Sequence, residues 1–448
     1  MPKSSLYNHF QRWNEAYYIA YNARSGAVAL MTPEHHAVYQ KLLGKLGQGE
    51  AASLDAAETE LLGQLKYGGF VLEDDEDELS RLRFPHNLAR YASDGLALII
   101  APTMACNMAC EYCFEQNKSG RMSTELMDRL VDFVDRRGRA LRQLIVTWYG
   151  GEPLLAMDII EQLTARFLEL GAKHQFDYGG SIVTNGYLLT PQTVDKLCEL
   201  KVRSGQVTLD GPAVIHNRKR PLKNGQDSFA SILENLKHAL TKMTVSIRVN
   251  VDQSFTVETI DQLLGELTAA GLREKVALNF GHLQPSTKAC ANIAESCFET
   301  RAFSRVEAEF CQLLLQRGFS IYKLPAPKIV CCMAQITNAF VVDPQGELYR
   351  CWNYVGDPAR SMGNIKDPLD FQHPNFQRLF AVDPFEHELC RRCNLLPICM
   401  GGCPSRRMDL GLPEHHVCDS WKYNLEPMLE IIAAAKLREQ PKTAKEPS

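Results

Sequence analysis

The chain has 448 residues, which at roughly 150 residues per domain excludes a single small module and predicts two or three domains. Its 49 lysines and arginines nearly balance 53 aspartates and glutamates, for a net charge of -4, so no basic excess points to nucleic acid or to an acidic membrane surface. A hydrophobic content of 45% and a charged content of 23% are ordinary for globular proteins and argue against global disorder.

Fifteen cysteines are the unusual feature of the composition. The N-terminal residues lack the apolar segment of a secretory signal, so we expect a reducing cytosol and no disulfide framework. The apolar runs are far shorter than the roughly 20 residues that cross a bilayer, which predicts no membrane span. The spacing of the cysteines therefore has to separate metal ligands from ordinary buried thiols.

Residues 1–88 are predicted to form a small α+β domain. Two β-leaning runs, at 17–21 and 27–31, flank a turn and predict a hairpin. Thr32 and Pro33 supply an N-cap and a first-turn proline for a helix to about residue 46, and a second helical stretch covers 54–65. The acidic run at 73–78 is interpreted as a solvated linker.

Residues 89–324 alternate short apolar strands with amphipathic helical stretches, which predicts βαβ units on a parallel sheet. Six strands are predicted, at 96–102, 144–148, 181–184, 206–209, 245–251 and 276–280, with helices at 123–137, 159–170 and 193–200. The predicted fold class is α/β, a partial (β/α)6 barrel similar to a TIM barrel. Active residues of such barrels lie at the C-terminal ends of the strands, so the residues that follow these strands matter most.

Residues 325–425 are irregular and hold eight of the fifteen cysteines, so we expect metal rather than a large apolar core to stabilise them. A last helix is predicted over 420–439. Residues 426–448 hold its end and a tail rich in lysine, proline and glutamate that is predicted to be disordered.

Cys106, Cys110 and Cys113 follow the first predicted strand in a C-x3-C-x2-C spacing. Three thiolates so close in sequence can bind a 4Fe-4S cluster and leave its fourth iron open to another molecule. Structural zinc is the alternative, but it requires four protein ligands, and no fourth cysteine or histidine lies nearby in sequence.

This spacing, with the aromatic Tyr112 before the last cysteine, resembles the radical S-adenosylmethionine superfamily. The resemblance implies that the open iron binds the amino and carboxylate groups of S-adenosylmethionine. It also implies that the reduced cluster cleaves this cofactor to a 5'-deoxyadenosyl radical, which takes hydrogen from the substrate. An external reductant, flavodoxin or ferredoxin, is implied as well. The chain itself would position the cofactors and exclude water and oxygen.

A glycine pair follows the second predicted strand. Gly150, Gly151 and Glu152 begin a Gly-Gly-Glu-Pro sequence, in which glycine lets the backbone approach a ligand and the carboxylate can receive an ammonium group. This sequence is similar to the family's GGEP element, which implies that it holds the methionyl amine. After the third strand, Asn185 stands in a Thr-Asn-Gly turn that resembles a family turn near the cofactor. Alone, a Gly-Gly or Asn-Gly pair indicates only a turn.

Two more candidate residues follow the fourth predicted strand. Thr208 begins a Thr-Leu-Asp-Gly-Pro run that Arg220 follows. The resemblance implies that Thr208 touches the ribose region and that Arg220 faces the cofactor carboxylate; a solvated basic turn is the alternative for Arg220. Leu283, beyond the sixth strand, is expected by the same resemblance to pack on the adenine, and its alternative role is that of a core residue.

The eight C-terminal cysteines resemble the SPASM extension of radical enzymes that modify peptides and proteins, and a zinc ribbon is the alternative. The resemblance implies two auxiliary 4Fe-4S clusters. The first would use Cys351, Cys403 and one or both of Cys331 and Cys332. The second would use Cys390, Cys393, Cys399 and Cys418. Four cysteines match no motif and are interpreted as ordinary thiols: Cys198, Cys290, Cys297 and Cys311.

The combined resemblance predicts a cytosolic enzyme that modifies a ribosomally made peptide or protein, leaving a crosslink, thioether, epimer or oxidised residue. Relatives that mature sulfatases without oxygen have an aspartate directly after the G-x4-C cysteine, where this chain has Trp352. Formylglycine formation is therefore an alternative that needs another base. An iron–sulfur electron carrier or scaffold is a second alternative, which Arg220 and the glycine pair argue against, because a carrier needs no cofactor cradle. The sequence leaves the catalytic residues open.

The N-terminal hairpin, helix pair and short strand resemble accessory segments of peptide maturases. Some of these segments bind the leader of a precursor peptide as an added strand. Residues 1–88 are therefore the expected peptide-binding region.

Overall fold

The computed structural model describes residues 2–48, 53–115, 119–409 and 417–439. Within them, the strands are β1 (Lys3–Ser4), β2 (Asn8–Arg12), β3 (Tyr18–Asn22), β4 (Val28–Met31), β5 (Val71–Leu72), β6 (Gly95–Ile100), β7 (Gln143–Trp148), β8 (Asp177–Thr184), β9 (Val202–Thr208), β10 (Thr244–Val251), β11 (Ala277–His282), β12 (Ser320–Ile321), β13 (Ala339–Val342) and β14 (Leu348–Tyr349).

The α-helices of the same residues are numbered in chain order. They are α1 (Pro33–Gly47), α2 (Ala56–Tyr67), α3 (Glu78–Tyr91), α4 (Thr124–Gly138), α5 (Met157–His174), α6 (Pro191–Glu199), α7 (Ala213–Lys219), α8 (Phe229–Ala239), α9 (Val257–Ala269), α10 (Thr300–Arg317), α11 (Pro374–Phe380), α12 (Glu388–Arg391), α13 (Leu396–Cys399), α14 (Pro404–Asp409) and α15 (Trp421–Glu439).

The N-terminal hairpin prediction is confirmed, since β3 and β4 pair antiparallel. A strand that the pattern did not predict, β2, pairs with the other edge of β3 and completes a three-stranded sheet. Helix α1 begins where predicted, because the Thr32 side chain accepts a hydrogen bond from His35 N. Helix α2 begins with a capping box between Asp55 and Glu58.

The acidic run at 73–78 is not a solvated linker throughout. Asp77 caps α3 by accepting a hydrogen bond from Ser80 N at 3.1 Å. Glu78 is buried, and its carboxylate accepts hydrogen bonds from Ser5 Oγ at 2.6 Å and Leu6 N at 2.8 Å. The solvated interpretation is wrong for Glu78, because a carboxylate can be buried when hydrogen-bond donors replace water.

The six predicted core strands are β6 to β11, which lie in chain order, each parallel to the next. The predicted partial (β/α)6 barrel is confirmed. Strands β12 and β13 extend the sheet at its two edges, and β14 continues it beyond β13. Strand β13, from the cysteine-rich region, pairs parallel with β6 at Val341 and Ile99, so main-chain hydrogen bonds join that region to the barrel. The predicted domain boundaries stay a prediction.

The inner face of the sheet is polar where β10 crosses it. Val245, Ile247 and Val249 of β10 are buried in the main core, whereas the alternate positions Arg248 and Asn250 are half-buried and line a cavity. Since the side chains of a strand alternate between its two faces, this pattern leaves the inner face free for a binding site.

Helix α15 lies near its predicted position and packs on α10. It also reaches the N-terminal sheet, because Gln11 Nε2 donates a hydrogen bond to Glu430 Oε1 at 3.2 Å. The predicted disordered tail beyond residue 439 lies outside the described residues. Among the described helices, none has the length and apolarity needed to cross a membrane.

Candidate active site

A cavity of about 300 Å³ lies at the C-terminal ends of the barrel strands. Its volume is at the lower end of the range for small-molecule sites, about 300–1,000 Å³. The lining includes the first three cysteines and most of the predicted cofactor residues: Cys106, Cys110, Tyr112, Cys113, Gly150, Gly151, Asn185, Thr208, Arg220 and Leu283. Residues distant in sequence thus meet at one cavity, and Glu152 is the predicted cofactor residue that does not line it.

The glycine pair is required by the loop that leads to the cysteines. At φ +116°, Gly150 lies so close to this loop that a Cβ atom would meet the Thr103 carbonyl oxygen at 2.3 Å. A Cβ atom on Gly151 would meet the Ala105 carbonyl oxygen at 2.4 Å. Hydrogen bonds from Gly151 N to Thr103 O at 3.2 Å and from Glu152 N to Ala105 O at 2.9 Å hold this contact. The glycines therefore interlock two strand ends as well as lining the cavity.

Glu152 lies behind the cavity wall and is fully buried. Its carboxylate accepts hydrogen bonds from Thr184 Oγ1 at 2.7 Å, from Asn185 N at 2.8 Å and from Leu154 N at 3.2 Å. Burial raises the pKa of this carboxyl group. In this geometry Glu152 joins the ends of β7 and β8, while the predicted contact with the methionyl amine stays a prediction.

Tyr112 is the centre of a buried hydrogen-bond network. Its hydroxyl group donates to Asp210 Oδ2 and accepts from Arg220 Nη1, and Asn250 Nδ2 lies at 3.3 Å. Asp210 also accepts a hydrogen bond from Asn250 N at 2.8 Å. The network links the cysteine loop to the ends of β9, β10 and α7, so it holds these segments in place relative to one another. The tyrosine between the second and third cysteines therefore positions Arg220.

Two buried donors beside the cavity lack partners among the described residues, Arg220 Nε and Asn107 Nδ2. The side-chain oxygen of Asn107 does have a partner, since Asn185 Nδ2 donates a hydrogen bond to Asn107 Oδ1 at 2.7 Å. An unpaired buried donor costs about 1–3 kcal/mol, so a polar ligand that accepts these hydrogen bonds is expected. Three thiols that line the cavity, with these donors close to them, fit a 4Fe-4S cluster together with a small polar ligand.

The thiol of Cys106 is held in its protonated form when no metal is bound. Burial raises its pKa to about 12, and Glu152 and Cys110 add to the shift. Binding of a metal cluster would displace this proton, because the thiolate is the ligand.

Leu283 has the apolar surroundings that suit the wall of an adenine site. It is buried, lines the cavity and packs with Tyr112, Cys290 and Ile293. The two roles considered for Leu283, cavity wall and core residue, are therefore compatible. Cys290 is a packed thiol in this small cluster.

The four cysteines of the second predicted cluster lie near enough to affect one another's pKa. Burial raises the pKa of Cys390, and the nearby Cys393 and Cys418 thiols add to the shift. Burial also raises the pKa of Cys399, to about 12, with contributions from the same Cys418 and Cys390. Arg407 Nη2 lies 3.5 Å from Cys390 Sγ and is placed to donate to it. This grouping supports the second auxiliary ligand set, which stays a prediction.

The adjacent Cys331 and Cys332 have different surroundings. Cys332 packs against the same apolar cluster as Cys351, and it lies near enough to the half-buried Cys403 to raise the pKa of that thiol. Cys331 packs against the main core instead and lies near Cys399 of the other group. Among the described residues, the cysteines do not converge in threes on the position of a single metal ion.

Arg350 holds Cys332 and Cys351 in a defined relation. It directly precedes Cys351 and is almost fully buried. Its Nη2 atom donates hydrogen bonds to Ala334 O at 2.9 Å and Ile336 O at 2.5 Å, in the turn that follows Cys332. One guanidinium group thus ties the turn after one cysteine to the strand before the other.

Trp352 brings the cysteine-rich region to the cavity. Its ring stacks on Tyr149 with centroids 5.7 Å apart and planes 20° apart, and both residues line the cavity. Tyr149 directly precedes the glycine pair. The position after Cys351, where the resemblance led us to look for a base, is therefore part of an aromatic wall that cannot accept a proton.

Arg248 and Asn250 line the cavity and were missed by the sequence analysis. A signal for them was present, because β10 alternates apolar and polar residues and carries a charge inside a parallel sheet. Parallel strands are ordinarily apolar on both faces, so a charged residue at an alternate position marks a face that is not packed.

Comparison with known proteins finds a family model and several proteins that this chain resembles. Residues 100–267 match the family model of the Radical SAM superfamily. A cysteine-type anaerobic sulfatase-maturating enzyme of Clostridium perfringens is 28% identical over 363 residues, which cover 73% of this chain and 94% of that protein. Mycofactocin maturase MftC of Mycolicibacterium smegmatis is 27% identical over 332 residues, which cover 69% of this chain and 78% of that protein.

Solved structures share the fold. Native anSMEcpe with bound AdoMet and the Cp18Cys peptide is 23% identical and superposes with a TM-score of 0.58 over 77% of this chain and 99% of that one. Streptococcus suis SuiB bound to its precursor peptide SuiA is 17% identical, with a TM-score of 0.53 over 94% of this chain and 99% of that one. At these identities the similarity establishes the architecture of the barrel and its extensions.

The interlock of the glycine pair is tested by Gly150→Ala. The added Cβ atom would overlap a backbone oxygen at a left-handed φ, so we expect a loss of about 1–3 kcal/mol in the free energy of unfolding. Denaturant unfolding of the apo-protein measures it. Gly179→Ala is the control, because its Cβ atom would meet nothing within 4 Å. Equal effects of the two substitutions would contradict the interlock.

Proposed function

We propose that this chain, whose residues 100–267 form a radical SAM domain, modifies a peptide or protein by radical chemistry. The observation that carries the proposal is the cavity at the strand ends, where three cysteines lie beside the residues expected to hold S-adenosylmethionine. The names of two similar proteins, a sulfatase-maturating enzyme and a mycofactocin maturase, support a peptide or protein substrate. The structure of SuiB with its precursor peptide supports the same substrate class.

A 4Fe-4S cluster on Cys106, Cys110 and Cys113 would supply, with bound S-adenosylmethionine, a 5'-deoxyadenosyl radical that abstracts hydrogen. The chain's own residues would bind the cofactor and orient it. Arg220, held by Tyr112, presents a buried guanidinium group for the cofactor carboxylate. The buried apolar cluster around Leu283 would keep water from the adenine side of the cavity.

Formylglycine formation remains the alternative activity and would need a base in the cavity. Trp352 stands at the position of the base in sulfatase-maturing relatives. Glu115 is the one carboxylate among the described residues that line the cavity, and it is buried. The alternative would therefore assign proton transfer to Glu115. The aromatic wall of Tyr149 and Trp352 favours another modification of the peptide.

The N-terminal sheet is the proposed docking place for the leader of a precursor peptide. Strand β4 is an edge strand, paired with β3 on one side. Asn22 N donates to Ala27 O at 3.0 Å, and the alternation of an antiparallel ladder then turns the Leu30 amide to the outer edge. A leader strand could pair with this edge through main-chain hydrogen bonds.

The proposal also includes the cellular setting. A reducing cytosol keeps the thiols available as cluster ligands. Flavodoxin or ferredoxin would be the reductant, because the catalytic cluster has to be reduced again after use.

Cys106→Ala tests the proposed chemistry directly. The anaerobically reconstituted wild type is expected to release 5'-deoxyadenosine from S-adenosylmethionine with dithionite, and the variant to release none. Three clusters predict about 12 irons per chain and the variant about 8. Cys198→Ala, outside all proposed ligand sets, should behave as wild type. A wild type that binds iron but releases no 5'-deoxyadenosine would refute the proposal.

The first auxiliary set is proposed to use Cys332 with Cys351 and Cys403. Cys332→Ala should then lower the iron content by up to about 4 per chain and change the Mössbauer spectrum of the auxiliary iron. Cys331→Ala should keep the iron content and the spectrum of the wild type. The physical reason is the shared surroundings of Cys332 and Cys351. The reverse outcome would assign the ligand to Cys331, and equal losses would reject the distinction.

Leader docking at β4 is tested by a matched pair, Leu30→Pro and Leu30→Ala. Both truncate the side chain, but proline also removes the amide that faces the outer edge. Fluorescence anisotropy with the short precursor peptide encoded nearest this gene should show a loss of about tenfold or more in affinity for Leu30→Pro beyond that of Leu30→Ala. Similar affinities of the two variants would place the leader elsewhere.

A further inference from the structure

Arg248 is a cation of the cavity that the proposed cofactor contacts do not use. It lies in the middle of β10, opposite Thr208 of β9 and Asn279 of β11, and it lines the cavity. Its one hydrogen bond among the described residues runs from Nε to Asn250 Oδ1 at 2.8 Å. The two terminal nitrogens of the guanidinium group, which carry four of its five N–H donors, thus have no partner in the described protein.

The position of this guanidinium group is built into the sheet. Gly281 of the neighbouring strand makes room for it, since a Cβ atom there would meet Arg248 Nη2 at 2.4 Å. Asn250, whose side chain accepts the hydrogen bond from Arg248, is itself held because its main-chain N–H donates to Asp210. The group is therefore fixed by its hydrogen bond to Asn250 and given space by the missing side chain of Gly281.

Charged groups around Arg248 do not neutralise it. Asp210 is the carboxylate that acts on its pKa, but its oxygens already accept hydrogen bonds from Tyr112 and Asn250 and face Arg220. Glu115 lines the same cavity, and among the described residues no ion pair joins it to Arg248. Burial lowers the pKa of the Arg248 guanidinium group, yet arginine stays charged in proteins. A half-buried cation without a paired anion is costly, and an anionic ligand removes the cost.

We propose that Arg248 binds a carboxylate group inside this cavity. The planar fork of two terminal nitrogens matches a carboxylate in a bidentate arrangement. A peptide substrate can supply this group from an acidic side chain or its C-terminus, and S-adenosylmethionine can supply it from its methionyl end. The substrate source rests on the proposed function. It is favoured because Arg220, on the side of the cysteine loop, already faces the expected cofactor carboxylate.

The test uses the full reconstituted chain and the Arg248→Gln variant, with Arg203→Gln as the control, since Arg203 is exposed on β9. Equilibrium dialysis compares the affinity of each protein for S-adenosylmethionine with its affinity for 5'-methylthioadenosine, which lacks the carboxylate. With S-adenosylmethionine present, the same method compares the affinity for acetyl-Gly-Asp-Gly-amide with the affinity for acetyl-Gly-Asn-Gly-amide. Release of 5'-deoxyadenosine by the wild type is recorded separately, so that failure of the proposed function is seen independently.

The expected result is a preference of the wild type for the aspartyl peptide of about tenfold or more, which Arg248→Gln abolishes and Arg203→Gln retains. A similar loss in the affinity for S-adenosylmethionine, with 5'-methylthioadenosine unchanged, would support the proposal with the cofactor as the source. If Arg248→Gln changes neither preference, or if the wild type shows none, the proposal is overturned.

Discussion

The site depends on a main-chain contact between two strand ends. The loop from β6 that leads to Cys106 and the turn after β7 lie so close that Gly150 and Gly151 have no room for a side chain. Hydrogen bonds between backbone groups fix this contact, and Glu152 extends it to the end of β8 by accepting from Thr184 and Asn185. Because the contact is made by the backbone, the position of the cysteine loop is set by the barrel itself.

Two further layers build on that contact. On the β9 and β10 side, the Tyr112 hydroxyl group joins Asp210, Asn250 and Arg220, so a residue of the cysteine loop also orients the cation after α7. On the β6 side, strand β13 and the stacked rings of Tyr149 and Trp352 bring the cysteine-rich region against the same cavity. Radical chemistry needs such enclosure, because a preorganised and water-excluding site controls where hydrogen is taken.

Much of this architecture could be predicted from local patterns. Apolar runs separated by amphipathic helices located the six barrel strands, and the cysteines and glycines that follow these strands do line one cavity. Contacts between segments distant in sequence could not be predicted from local patterns. Nothing local signals that β13 pairs with β6, that the Glu152 carboxylate turns away from the cavity, or that Glu78 is buried by donors about seventy residues away. The cavity position of Arg248 could have been predicted from the sequence, because its alternation with apolar neighbours in β10 marks a face of the sheet that is not packed.

The central claim is that the cavity brings S-adenosylmethionine into contact with an iron–sulfur cluster on Cys106, Cys110 and Cys113. Electron-nuclear double resonance of the reduced, reconstituted protein with 15N-labelled S-adenosylmethionine tests it most directly. The account predicts hyperfine coupling between the cluster spin and the amino nitrogen of the bound cofactor, lost in Cys106→Ala. A reduced cluster signal that shows no coupling to the label and no change on addition of S-adenosylmethionine would contradict it.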